Sequence, residues 1–101
     1  MIVEYIRYKL DADNRSAFIA AYAQAAAELD ASMHCLGYEL TECEEETGVF
    51  MLRIEWTSSS DHMNGFRKSK YFPPFFALVK PFFSHIQEMR HYTLTGVVKK
   101  K

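Results

Sequence analysis

A tryptophan, a histidine and an arginine follow one another closely in the middle of the chain, at Trp56, His62 and Arg67. Trp56 ends an alternating apolar run that begins at Val49, and Phe66 stands beside the arginine. Aromatic side chains with a few polar groups among them are typical of ligand-binding pockets. The segment is therefore predicted to form one wall of an apolar pocket with a polar rim.

Two elements are needed to hold this wall in place. The alternation over residues 49–56 predicts a strand. Ser58 and Asp61 have the spacing of a capping box, which predicts that a helix begins directly after the strand. Pro73–Pro74 should end that helix and start another, and Pro81 should kink or end the second one.

Hydrophobic periodicity predicts the remaining elements. Further strands are expected over residues 2–10, 38–44 and 86–95, and a helix over 15–31 with Asp13 as its N-cap. The order β-α-β-β-α-β predicts an α+β, ferredoxin-like fold with helices on one face of an antiparallel sheet. We expect a single domain over residues 1–96, followed by a basic tail at 97–101.

Both faces of the predicted sheet carry large apolar side chains. Met51 and Met89 are expected on the face away from the helices, opposite Trp56 and Tyr92. Soluble monomers rarely expose such a patch, so we predict a homodimer in which two sheets pack face to face. The nearby charged residues either pair at that interface or are solvated edge charges: Arg53, Glu55, Glu88 and Arg90.

Composition limits the function classes. The chain has 101 residues, 49% hydrophobic and 25% charged, with a net charge of −1, which argues against nucleic acid or a membrane surface as partner. No run approaches the ~18 apolar residues of a membrane helix, and the first residues do not look like a signal peptide. Cys35 and Cys43 fit neither a zinc site nor a disulfide framework, so free thiols in the cytoplasm are expected.

Three short stretches, IEWTSSSDH, FRKSKYF and EMRHYTL, resemble the antibiotic biosynthesis monooxygenase family of dimeric α+β barrels. The resemblance spans nearly the whole chain and implies two protomers that form one barrel. The family includes oxygenases that act on phenols, quinols and anthrones without metal or flavin, haem-degrading enzymes, and small proteins of no known activity. The implied chemistry removes a proton from an electron-rich substrate, whose anion then passes an electron to O2.

The resemblance implies a role for each residue of the wall. His62 is the best candidate base, because an unperturbed imidazole titrates near pH 6.5, and Arg67 could hold an oxyanion. Trp56 joins them in the catalytic set. The predicted substrate-binding residues are aromatic: Tyr22, Phe66, Tyr71, Phe72, Phe75 and Phe76. No cofactor is expected: haem is disfavoured because haem-degrading relatives carry Trp and His near the positions of Phe66 and Phe76.

Other interpretations remain open from the sequence. The protein could be a non-enzymatic dimeric module that binds an apolar ligand or a haem-protein partner, because it lacks the two histidines that related quinol oxygenases often carry in the segment matching Phe66 and Tyr71. Trp56 could be a structural plug, and Arg67 a solvated charge. His91 and His85 show no partner pattern. Phosphate loops, Ser-His-Asp patterns and metal-ligand spacings are not found in the sequence.

Overall fold

Four antiparallel strands form the sheet of the computed structural model, which describes all residues from 1 to 101. They are β1 (Ile2–Lys9), β2 (Cys35–Glu42), β3 (Val49–Trp56) and β4 (Ile86–Thr93). Their spatial order is β2-β3-β1-β4, so β1 and β3 are central and β2 and β4 lie at the edges. The predicted ferredoxin-like α+β fold is confirmed. β2 begins at Cys35, three residues earlier than the periodicity predicted.

Two α-helices cover one face of this sheet. They are α1 (Arg15–Ala31) and α2 (Phe72–Val79), and a 3-10 turn at Lys80–His85 follows the latter. α1 buries one stripe of side chains against the strands, as its spacing predicted: Phe18, Tyr22, Ala25 and Leu29. The prediction of Asp13 as N-cap was wrong, because Asp13 lies inside a 3-10 turn that precedes the helix. None of the helices has the length and apolar character needed to cross a membrane.

The segment after β3 differs from the prediction of a single helix that runs to the prolines. The backbone amide of Asp61 donates to Oγ of Ser58 at 2.9 Å, so the predicted cap forms. The chain then makes a π-helical turn over Asp61–Gly65 and a 3-10 turn over Phe66–Lys68. Ser69 closes this turn, because its Oγ donates to the carbonyl oxygen of Phe66 at 2.7 Å. The prolines instead lie in the first turn of α2.

The faces of β4 are opposite to the prediction. Met89 pairs with Ile6 of β1 and lies on the helix-covered side, while Tyr92 contacts Tyr5 on the other face with ring centroids 5.4 Å apart. The prediction that Met89 faces away from the helices was therefore wrong, because pairing with β1 sets the register of this edge strand. The prediction for Met51 agrees with its position on the outer face, opposite Arg7.

The charged residues of the outer face pair within the chain. Arg53 lies 3.0 Å from Glu55, and Arg90 lies 3.6 Å from Glu88. Both cysteines are free.

Candidate active site

A cavity of about 280 Å³ lies between the helix-covered face of the sheet, the turns after β3, and α2. Eight of the nine predicted site residues line it: Tyr22, Trp56, His62, Phe66, Arg67, Phe72, Phe75 and Phe76. The other lining residues were not predicted to belong to the site: Glu4, Ile6, Tyr8, Ile54, Val79, Phe83 and Met89. Fully buried side chains of β1 and β3 form the inner part of the cavity. Half-exposed side chains such as Met89 lie on its solvent side.

Tyr71 is the predicted residue that does not line the cavity. It lies directly before α2, and its ring packs against the edge of the core while the Lys70 ammonium stands 5.4 Å from the ring centroid. Its carbonyl oxygen accepts from the amide of Phe75 at 3.3 Å. Tyr71 therefore supports the start of α2 rather than the wall of the cavity.

Trp56 is held at the end of β3 by two contacts. Its indole Nε1 donates to Oε1 of Glu4 at 3.0 Å, and its ring stacks on His62 with centroids 4.4 Å apart and planes at 12°. The indole is 1% exposed and also packs on Phe66. Trp56 thus plugs the gap between sheet and turns and at the same time fixes the plane of the imidazole.

Glu4 is a buried carboxyl group at the centre of the sheet, 1% exposed. It pairs with Ile54 of β3 and His91 of β4. Burial raises the pKa of Glu4, and the bond from Trp56 and the charge of Arg67 oppose that rise only in part. The sequence did carry a signal for it, because Glu4 is a charged residue at an inward position of an otherwise apolar alternation.

His62 forms a pair with His91. Nδ1 of His62 lies 2.7 Å from Nε2 of His91, and Nε2 of His62 lies 3.6 Å from Oε1 of Glu4. Burial, and then the positive charge of Arg67, lower the pKa of His62 to about 3, and the same two causes lower the pKa of His91. Both rings are therefore neutral near pH 7, and in the short contact one nitrogen donates and the other accepts. The sequence showed no partner pattern for His91, and the structure pairs it with His62.

Arg67 carries a hydrogen-bond donor that is not used within the protein. Its Nε is buried and has no partner, and its Nη2 contacts Sδ of Met89 at 3.7 Å. Its positive charge lowers the pKa values of Glu4, His62 and His91. A buried donor without an acceptor is costly, by about 1–3 kcal/mol, which favours a bound oxygen at this position.

A second polar group stands deeper in the cavity. The hydroxyl groups of Tyr8 and Tyr22 hydrogen-bond to each other, and both side chains are buried. Burial raises the pKa of Tyr8 to about 12, so both hydroxyls keep their protons. One O–H donates within the pair, which leaves the other O–H free for a ligand. Glu4 and Tyr8 are four residues apart on β1, so their Cα atoms stand roughly 13 Å apart along the cavity.

Glu4, His62 and His91 also have the residue types of a metal site, with their ligand atoms within 4.8 Å of one another. The distance of 2.7 Å between the two imidazole nitrogens is that of a hydrogen bond. Nitrogen ligands about 2.1 Å from one tetrahedral zinc ion are about 3.4 Å apart. The charge of Arg67 further opposes a cation here. The three groups therefore fit a hydrogen-bonded network better than a set of metal ligands.

A second cavity, of about 320 Å³, lies on the other side of α1, against β2 and β3. Tyr22 lines both cavities. The second cavity is apolar except for Tyr38 and two carboxylates, Glu39 and Glu42, the latter in an ion pair with Arg15 at 2.6 Å. Glu4, His62 and Arg67 line only the first cavity.

The sequence is similar to a known protein family and to one curated protein. The sequence profile described as antibiotic biosynthesis monooxygenase matches residues 1–78. The uncharacterized protein YczJ of Bacillus subtilis (strain 168) is 31% identical over 75 residues, which cover 74% of this chain and 79% of YczJ.

Solved structures share the fold at lower identity. A Bordetella bronchiseptica protein assigned to the antibiotic biosynthesis monooxygenases superposes with a TM-score of 0.76 at 23% identity, covering 93% of this chain and 96% of that one. One from Chloroflexus aurantiacus, with the same assignment, gives a TM-score of 0.75 at 15% identity, covering 97% and 96%. The profile match over most of the chain, together with this fold, shows that the protein belongs to the antibiotic biosynthesis monooxygenase family.

Proposed function

We propose that the protein is a cofactor-independent monooxygenase that acts on a small aromatic hydroxyl compound of the quinol, naphthol or anthrone type. The observation that carries the proposal is the unused Nε donor of Arg67, placed beside a buried imidazole in an apolar cavity. A cavity that is otherwise aromatic suits a ring system, and the donor suits the oxygen on it.

The reaction begins with the substrate hydroxyl at His62. Loss of the O–H proton leaves an anion, and the guanidinium of Arg67 stabilises that negative oxygen. The anion transfers one electron to O2, and the radical pair combines to form a carbon–oxygen bond. The peroxide then loses water, so one oxygen atom of O2 stays in the product and the other leaves as water. Trp56, Phe66 and Phe75 exclude bulk water from these steps.

The size and polarity of the cavity support the substrate class. Its volume of about 280 Å³ is near the lower end of ligand pockets, roughly 300–1,000 Å³. The free donors at its two ends, on Arg67 and on the Tyr8–Tyr22 pair, match a flat molecule with an oxygen at each end. We therefore expect compounds with two oxygens, such as quinols and hydroxyanthrones, to be preferred over simple phenols.

Oxygen consumption tests the proposal. The purified protein should consume O2 with hydroquinones, naphthols or anthrones, and Arg67→Gln should lower kcat/KM roughly 100-fold or more, as loss of an oxyanion donor does. Lys68→Gln is the matched control, because Lys68 is a neighbouring exposed cation that does not line the cavity. The proposal fails if the wild-type protein consumes no O2 above the buffer rate with any of these compounds.

A second candidate is a non-enzymatic module that binds an apolar ligand. The observation in its favour is the low pKa of His62, which makes the isolated imidazole a weak base. Trp56 is the only tryptophan and lines the cavity, so its fluorescence reports ligand entry directly. Quenching by a quinol without O2 consumption would favour this candidate. Binding of haem is not proposed, because phenylalanine occupies positions 66 and 76; a haem titration without a Soret shift would agree.

The proposed setting is a homodimer in the cytoplasm. The free thiols of Cys35 and Cys43 suit a reducing compartment. The outer face of the sheet, with Tyr5, Met51 and Tyr92, supplies the apolar surface for a second copy.

A further inference from the structure

We propose that His91 completes a proton relay, in which His62 accepts the substrate proton on Nε2 while it passes its Nδ1 proton to Nε2 of His91. The relay rests on the proposed function above and assigns roles to His91 and Glu4 that the family resemblance does not supply.

The geometry of the two rings fits a relay from the cavity to solvent. His62 is 4% exposed and lines the cavity, whereas His91 lies on the edge strand β4 and is exposed. Their nitrogens are 2.7 Å apart, and stacking on Trp56 holds the plane of the His62 ring. A proton that enters at the buried ring therefore needs to cross a single hydrogen bond to reach a ring that water can contact.

The charges around His62 explain why a relay is needed. Burial of the ring opposes a positive imidazolium, and so does the charge of Arg67 from the turn after β3. Glu4 of β1 is the only carboxyl group that lines the cavity, and burial favours its neutral form. A ring that gains one proton while losing another never carries the charge that this surrounding opposes. The relay thus lets a weakly basic imidazole act as a base.

The steps balance without any co-reactant. The substrate O–H bond breaks and an N–H bond forms at Nε2 of His62, while the electron pair stays on the substrate oxygen. The Nδ1–H bond of His62 breaks and an N–H bond forms at Nε2 of His91, whose Nδ1 proton goes to water. The peroxide consumes a proton when water leaves, and the same path in reverse supplies it.

Glu4 is a positioning residue in this relay. Its Oε1 is fixed by the Trp56 indole and lies 3.6 Å from Nε2 of His62, the nitrogen that receives the proton. At a slightly shorter distance, Oε1 accepts the new N–H. This contact favours the tautomer with the proton on Nε2, from which His62 can return a proton to the substrate. Glu4→Gln keeps an oxygen at this place, so it should act mainly on the pH profile and less on KM.

The test compares His91, within β4, with His85, which directly precedes that strand. His91→Gln keeps a hydrogen-bond acceptor for His62 but cannot pass the proton on, so kcat should fall about 100-fold or more while KM changes little. His85→Gln is the matched control, because His85 ends the turn before β4 and does not line the cavity. In His91→Ala, added imidazole should restore part of the lost kcat. Thermal unfolding of each variant checks that the fold is kept.

The outcomes separate the relay from the function itself. A His91→Gln variant with wild-type kcat and an unchanged pH profile overturns the relay and leaves the monooxygenase proposal standing. Wild-type protein that consumes no O2 overturns both. Activity that is lost on dialysis against a chelator and restored by a divalent metal also overturns the relay, because Glu4, His62 and His91 would then act as ligands.

Discussion

Glu4 and His62 are neighbouring buried groups whose pKa values move in opposite directions. Burial disfavours charge on each, so it raises the pKa of the carboxyl and lowers that of the imidazole. Titratable groups perturbed in this way concentrate at functional sites. Their effects on stability therefore differ in sign, and they oppose each other where their pH ranges overlap, above 4.5 and below 6.5.

The contribution of His62 to the stability of the fold should decrease as the pH falls from about 6.5 towards 3. In that window the unfolded chain binds a proton on His62 that the folded chain does not, because the folded pKa is about 3. One such proton costs at most about 1.4 kcal/mol per pH unit. The raised pKa of Glu4 acts the other way, since its contribution is present at low pH and is lost as the pH rises through the folded pKa.

Urea unfolding between pH 4 and 7 measures this slope. His62→Phe keeps a ring on Trp56 but removes the titration, so the free energy of unfolding of the wild type, taken relative to that of His62→Phe, should decrease as the pH falls. His85→Phe is the control and should keep the wild-type slope. An unchanged slope in His62→Phe would mean that His62 is protonated in the folded state at these pH values.

The sequence predicted some of the individual site residues but not all of them. Trp56, His62 and Arg67 lie within one short segment, so local spacing was enough to bring them together. Glu4 and His91 stand 87 positions apart in the chain and meet because they are partners in the β1–β4 register. Register across strands depends on packing of the whole sheet, and a single sequence does not reveal it.

Among the elements, the segment between β3 and α2 shows where local signals stop. The Ser58 cap was readable because its partner is three residues away, and it is present. The π-helical turn could not be predicted from the sequence, because tertiary packing around the turn determines its widened geometry. In this turn the ring of His34 lies where a side chain at Gly65 would stand, 2.7 Å from an added Cβ. The turn buries both His62 and Phe66 against Trp56.

The hairpin between β2 and β3 depends on one glycine. Gly48 has φ of 92°, and an added Cβ would lie 2.4 Å from the carbonyl oxygen of Leu10. Gly48→Ala should therefore lower the free energy of unfolding by about 1–3 kcal/mol. Gly96→Ala is the control, because an added Cβ there meets no atom within 4 Å. Urea unfolding of both variants tests this prediction. Equal free energies of unfolding would contradict the strained geometry of the hairpin.

On the scale of the whole molecule, the outer face of the sheet is the surface without a covering layer. It carries Tyr5, Met51 and Tyr92 beside the Arg53–Glu55 ion pair. The sequence predicted that both faces are apolar but placed Met89 on this one, so the outer face is less apolar than expected. Tyr92 lies on the outer face instead of Met89, and its aromatic ring can contact a partner there.

Light scattering should give a mass about twice the 11.8 kDa of one chain. Met51→Glu places a charge in the centre of the outer face and should shift the mass towards that of one chain at micromolar concentration. Met33→Glu is the control, because Met33 is 83% exposed in the turn before β2. A wild-type protein that stays monomeric at high concentration would contradict the face-to-face dimer.

The side chain of Tyr22 has a consequence for the range of compounds the protein accepts. One phenol ring is a shared wall of two chambers of similar size, of which the chemically equipped one holds about 280 Å³ and the other about 320 Å³. Under the proposed function, a smaller residue at this position should connect the two cavities and admit longer polycyclic molecules. The first helix would then set the upper limit on the length of a bound molecule.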